Sequence, residues 1–157
     1  MVLHLPLLSM KKYNDAVKFN LQFTSLDKIE SMPDKLRWHR YHKGLYQFEV
    51  AEYLGVERQT YSGYEEPDRD FCPPEHIAKL AELYGVPAED LTDEYNLFIY
   101  RGQGKQLIAK RKKLGLTREE YAARLGTSSG NLRKWEKDEV RMVKRTWERY
   151  FREDNSE

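Results

Sequence analysis

The densest run of cations in this 157-residue sequence is Lys110-Arg111-Lys112-Lys113. On a helix such a run is either a solvated face or a set of contacts to a polyanion. Groups that could ligate a metal or attack a substrate are sparse by comparison. His39 and His42 stand three residues apart, and Cys72 and His76 follow downstream. Their types would suit zinc, but nothing in the sequence brings Cys72 to the histidine pair, so neither a metal nor a cofactor is expected. No Gly-rich phosphate loop, nucleophile elbow or Ser/His/Asp arrangement is present. The chemistry left is recognition through charge and hydrogen bonding, and an enzyme is not expected. An aromatic content of 13% could serve stacking on single strands. Core packing accounts for it better, because Tyr61, Tyr64, Trp135 and Trp147 fall on inward faces of helical patterns.

Composition bounds the architecture. The chain has room for one ordinary domain or two very small ones, and 39% hydrophobic residues can supply cores of that size. With 34% charged residues, no stretch approaches the roughly 18 apolar residues of a membrane span. The apolar opening Met-Val-Leu-His-Leu-Pro-Leu-Leu lacks a basic leader and a small-residue cleavage site and does not read as a signal peptide. Cys72 is the single cysteine, so no internal disulfide forms, and a cytoplasmic protein is expected. The net charge of +1 conceals a strong asymmetry. Residues 33–100 hold 7 Lys and Arg against 14 Asp and Glu, whereas residues 101–157 hold 16 against 9. Only the second stretch advertises affinity for a polyanion.

The elements that would position these groups come from an internal repeat. At an offset of about 71 residues, the stretch 36–66 lies on 107–137 without a gap. Leu36, Arg40, Gly44, Leu45, Glu49, Ala51, Leu54, Gly55 and Glu65 meet identical residues at Leu107, Arg111, Gly115, Leu116, Glu120, Ala122, Leu125, Gly126 and Glu136. Gly44 and Gly115 each read as the left-handed residue that ends a first helix. Thr117 is placed to N-cap the second helix, with Glu120 closing a capping box, whereas Tyr46 is a poor cap. Val50, Ala51 and Leu54, like Tyr121, Ala122 and Leu125, give the second helix one inward face, and Gly55 and Gly126 end it. The small Ala51 and Ala122 let a third helix cross closely, over about 57–66 and 128–137. Its buried residues are Tyr61 with Tyr64, and Leu132 with Trp135.

After the first copy, Ile77, Leu80, Ala81 and Tyr84 predict a fourth helix ending at Gly85, and 87–91 a short fifth. Arg101-Gly102-Gln103-Gly104 reads as a linker. The second copy offers one more helix, over 140–151, with Val143, Trp147 and Tyr150 inward. The expected organisation is an extension at 1–32 without a readable element, a first domain at 33–98, a linker at 99–105, a second domain at 106–152 and a tail at 153–157.

The string from Gly44 to Val56 resembles the helix-turn-helix of the phage Cro and repressor family, and the string from Gly115 to Thr127 is similar to it too. The resemblance covers about 65 residues for the first copy and about 50 for the second. It implies an all-α fold of two tandem lambda-repressor-like helix-turn-helix domains, the second truncated. It also implies binding to double-stranded DNA as a transcriptional regulator, with recognition helices in the major groove. By position, the family's phosphate clamp falls on Gln47 and Arg118. Residues meeting base edges fall early on Arg58 and Gln59 and on Ser129 and Gly130, and later on Ser62 and Gly63 and on Arg133 and Lys134. Ser128, where the second recognition helix starts, is counted with the DNA-binding residues. Arginine can pair bidentately with guanine and glutamine with adenine, and Arg118, Arg133 and Lys134 suit the phosphates. Three features depart from the pattern: Glu57 replaces the usual Ser or Thr cap, Gly63 removes one reading side chain, and Gly130 costs its helix up to about 1 kcal/mol relative to Ala. The basic second copy is expected to supply the electrostatic grip and the first to supply selectivity or a protein contact. A homodimer or a partner protein is compatible with this. The competing reading is a protein-interaction module, such as the antitoxin half of a toxin–antitoxin pair.

Overall fold

The computed structural model describes residues 10–152, which are helical and contain no strand. The tail at 153–157 lies outside the described residues, as does the apolar opening up to Ser9. The chain divides into two compact units, the first reaching Asn96 and the second beginning at Leu97.

In the first unit, α1 (Met10–Gln22) is followed by a 3-10 turn at Leu26–Lys28 and by α2 (Met32–His42), α3 (Gln47–Leu54), α4 (Arg58–Tyr64) and α5 (Pro74–Tyr84). Helix α1 lies in the stretch where the sequence showed no element. Its pattern is weak because, among its described side chains, only Ala16 and Phe19 are buried, while the apolar Tyr13, Val17 and Leu21 are exposed. Ser31 caps α2 by accepting the Asp34 N–H at 3.3 Å. Gly44, just past the C-terminus of α2, has φ 67° and lets Leu45 N–H reach back to the Arg40 carbonyl at 3.1 Å. At the poor cap Tyr46, the Glu49 carboxylate accepts the Tyr46 N–H at 2.7 Å, which supplies half of a capping box. The core joins Leu36, Val50, Ala51, Leu54, Tyr61 and Ile77, with Leu80 and Leu91 closing it. The short fifth element is a 3-10 turn at Ala88–Asp90.

Helix α6 (Glu94–Tyr100) runs across the boundary between the units. The second unit continues with α7 (Gln103–Lys113), α8 (Arg118–Arg124), α9 (Ser129–Glu136) and α10 (Lys144–Trp147), then a π-helical turn at Glu148–Arg152. The expected capping box is present: Thr117 accepts the Glu120 N–H at 3.2 Å, and Glu120 accepts the Thr117 N–H at 2.7 Å. Leu107, Tyr121, Ala122, Leu125, Leu132 and Trp135 form the inward face.

Two expectations change in this unit. Residues 103 and 104, read as linker, open α7 and are buried. The Gln103 amide donates to the carbonyls of Trp135 and Val140 at 3.2 and 2.6 Å and accepts the Met142 N–H at 2.8 Å. Gly104 N–H donates to Asp138 at 3.0 Å, and a β-carbon at Gly104 would collide with the Glu136 carbonyl. That clasp explains the second change. The last helix begins at Lys144, not at residue 140, because the backbone at Val140 and Met142 is committed to Gln103. Val143 is consequently an exposed N-cap and not a core residue. Trp147 is buried as expected, with Met142 and Phe151 buried beside it and the Phe151 and Phe98 rings 4.7 Å apart, while the side chain of Tyr150 lies outside the described residues.

Candidate nucleic-acid interface

Each unit is held at its helix-turn-helix by the same buried ion pair, formed by residues 25 apart in sequence. Arg40 on α2 donates from Nε and Nη2 to the two carboxylate oxygens of Glu65 at 2.6 and 2.7 Å, and from Nη1 to the Leu45 carbonyl at 3.1 Å. In the second unit Arg111 on α7 donates from Nε to Glu136 at 2.7 Å and from Nη1 to the Leu116 carbonyl at 3.4 Å. One arginine therefore ties the first helix, the turn after it and the end of the third helix. Burial acts against the Arg40 charge, but the hydrogen bonds and charge of Glu65 outweigh it, so its pKa is raised. Burial likewise acts against the Glu136 carboxylate. The hydrogen bonds from Arg111 and Arg118 overcome it and hold that carboxyl below the ordinary glutamate value. Sequence reasoning assigned no role to this lock. Part of its signal was present: Arg40, Glu49 and Glu65 are the charged identities of the repeat, and Glu49 is accounted for by its place in the capping box.

The third partner of each lock is the residue that opens the second helix. Gln47 donates to Glu65 at 3.0 Å, and Arg118 donates to Glu136 at 2.9 Å. Both expected phosphate-clamp residues are thus oriented from inside by a buried carboxylate. Arg118 keeps 40% of its side chain exposed, so its charge is presented to solvent while one edge is anchored.

On α4, Arg58 and Gln59 are exposed. Ser62 is half-buried and donates to the Gln59 carbonyl at 3.1 Å. Glu57 caps without a side-chain hydrogen bond. On α9, Arg133 and Lys134 are exposed and Ser129 is half-buried. Ser128 is committed as cap, accepting the Asn131 N–H at 3.1 Å. Glu66, just after α4, corresponds in the repeat to Lys137 just after α9, and Asp68 and Asp70 extend the acidity of the first unit.

The cation run is divided by the fold. Arg111 belongs to the lock, the Lys110 ammonium stands 4.4 Å from the Phe151 ring centroid, and Lys112 and Lys113 are exposed. The histidines hold separate partners: His39 lies 3.2 Å from the Asp90 carbonyl, His42 2.7 Å from the Trp38 carbonyl, and His76 2.8 Å from the Tyr64 hydroxyl. Among the described residues no group of three or more His, Cys, Asp or Glu is arranged to hold a metal. Burial pushes the Cys72 thiol up to about 12, leaving it protonated at neutral pH. No helix among the described residues is long and apolar enough to cross a membrane.

A first helix ended by a left-handed glycine, a second helix with a buried alanine on its inward face, and a third with polar residues outward define a helix-turn-helix unit, here present twice. Comparison with known families agrees. A model described as helix-turn-helix domain matches residues 34–94, and one described as helix-turn-helix matches 107–144. Together they span more than half of the chain, which belongs to the Cro/repressor-type helix-turn-helix family in two tandem copies. No curated protein and no solved structure matched. The helix-turn-helix pair makes this a DNA-binding protein of the regulator kind, from families that are typically non-enzymatic.

Proposed function

We propose that the protein binds double-stranded DNA in a sequence-specific manner and acts as a transcriptional regulator, with α4 and α9 as its major-groove helices. The observation that carries this reading is the second unit. Arg118 is anchored through Glu136 with its outer part exposed, and Arg133 and Lys134 are exposed on the adjoining recognition helix. An anchored guanidinium loses little freedom on meeting a phosphate, and exposed cations on a helix suit both phosphates and guanine edges. In the first unit, Arg58 and Gln59 have the donor patterns for guanine and adenine. Selection of bound duplexes from a random pool tests the reading. One motif or two spaced motifs are expected, and no enrichment at low salt would refute it.

A second reading, in which the first unit holds a partner protein, draws on the exposed aromatic rings Phe48 and Tyr53 on α3, at 51% and 42% exposure, beside the acidic surroundings. Stoichiometric co-purification of one protein, lost when Phe48 is replaced by Ala, would favour it.

A further inference from the structure

Helix α1 lies outside both family matches, yet it walls a cleft that reaches the phosphate-clamp position of the first unit. Asp15, Lys18 and Gln22 of α1 face Arg37 and Arg40 of α2 across it, with Gln47 at the start of α3 and Glu65 also lining the cleft. The helix is fixed there by Phe19, whose ring packs 5.4 Å from Tyr41 and lies 5.6 Å from the Arg37 guanidinium. The charge of Glu65 is already met by Arg40 at 2.6 Å. Arg37 donates to the Glu65 carbonyl at 2.8 Å and lies 3.8 Å from Asp34 while keeping 30% of its side chain exposed, and with Lys18 it outweighs Asp15 among the lining residues, beside a helix N-terminus.

The second unit shows what this compensates. There the clamp position carries its own cation, Arg118, whereas the first unit has the neutral Gln47. We propose that α1 completes a phosphate seat in the first unit, with Lys18 and Gln22 joining Arg37 and Gln47 around one backbone phosphodiester of bound DNA. The proposal deepens the DNA-binding reading and rests on it for the source of the phosphate. Asp15 is the opposing charge in the same cleft and limits how tightly the seat holds.

The test uses the full chain, two probes and two substitutions at exposed positions, Lys18→Gln and Asp15→Asn. With inorganic phosphate, the side-chain amide signals of Gln22 and Gln47 in nitrogen-15 spectra should shift in the parent chain and shift far less in Lys18→Gln. With a selected duplex, Lys18→Gln should weaken binding roughly 3- to 10-fold at low salt and reduce the slope of log K against log salt by about one, and Asp15→Asn should tighten binding by a similar factor. Amides silent to phosphate but a duplex affinity that falls in Lys18→Gln support the seat as one for phosphodiester only. Shifts with phosphate but unchanged duplex affinity overturn the assignment to DNA in favour of a free anion. Shifts with phosphate in a chain that holds no duplex refute the DNA-binding reading and leave the anion seat standing. No shifts and unchanged affinity in both variants overturn the seat itself. Tighter duplex binding by Lys18→Gln overturns it in favour of α1 as a cover over the clamp.

Discussion

The locks around Glu65 and Glu136 share an arginine and a register, but their surroundings differ. In the first unit Glu65 also accepts the Tyr61 hydroxyl at 2.8 Å, its third partner is the neutral Gln47, and Arg37 stands 4.0 Å from the carboxylate with 30% of its side chain exposed. In the second unit Leu132 stands where Tyr61 does, and the third partner is a cation left 40% exposed. The difference continues along the chain in the exchange of Glu66 for Lys137. The interiors of the two copies are thus governed by one requirement, that a buried charge be paired and hydrogen-bonded. Their surfaces are free of that requirement and have opposite signs.

The largest effect that could break this comparison is removal of the lock. Glu65→Ala strands the buried Arg40 and should destabilise the first unit by about 3–5 kcal/mol. Glu136→Ala should cost the second unit less, because Arg111 and Arg118 retain 16% and 40% exposure against 8% for Arg40. Hydrogen exchange resolved by segment gives both numbers in one chain, and the reverse order would show that the two locks are not graded by burial. Next comes Gly104→Ala, expected to cost the second unit about 1–3 kcal/mol through overpacking against the Glu136 carbonyl and Asp138, with exchange in α2–α5 unchanged. The position 71 residues earlier holds Pro33, so this clasp belongs to one copy only.

A comparison of Arg58→Ala with Arg133→Ala sharpens the division of labour. The first should relax preference at one base pair, at about 1–3 kcal/mol of discrimination, and the second should weaken binding to all duplexes and flatten the salt dependence. Anisotropy titrations on matched and mismatched duplexes at several salt concentrations distinguish them, and interchanged outcomes would reverse the roles. The smallest expected effect is on pH. Burial disfavours the charged form of His39 and lowers its pKa from the ordinary 6.5, against the opposing Asp90 carbonyl. The unfolded chain therefore takes up this proton first as pH falls, so the contribution is full above about 6.5 and is lost on the acid side. No histidine lies beyond residue 76, so the second unit should show no such loss between pH 7 and 5. Melting followed by segment across that range, with His39→Gln as control, checks both statements.

The helix-turn-helix itself was legible because its signals are local. A left-handed glycine, a capping box and a small residue at a crossing each act within a turn or two of chain. That is why Gly44, Gly55, Gly115 and Gly126 all have positive φ, Thr117 caps α8, and Ala51 and Ala122 are buried. The faces of α4 and α9 followed from spacing, with Tyr61, Tyr64, Leu132 and Trp135 buried. The misread residues are those whose partners lie far along the chain. Gln103 and Gly104 look like a linker by composition, but Gln103 bonds to Val140, 37 positions away. Val143 looks inward by periodicity, but that contact displaces the helix start past it.

The sequence by itself determined that two copies of one helix-turn-helix are present and that the second is the basic one, since repeat register and net charge need no coordinates. Only the tertiary structure decided that Arg40 and Arg111 are buried ties and not surface cations, and that Gln47 and Arg118 are aimed by a carboxylate. It alone placed α1 in one cleft with Gln47. The physical reason is common to all three. Whether a charged side chain meets solvent or a partner depends on which distant helix crosses above it, and that choice is made by packing after local backbone preferences have formed the helices.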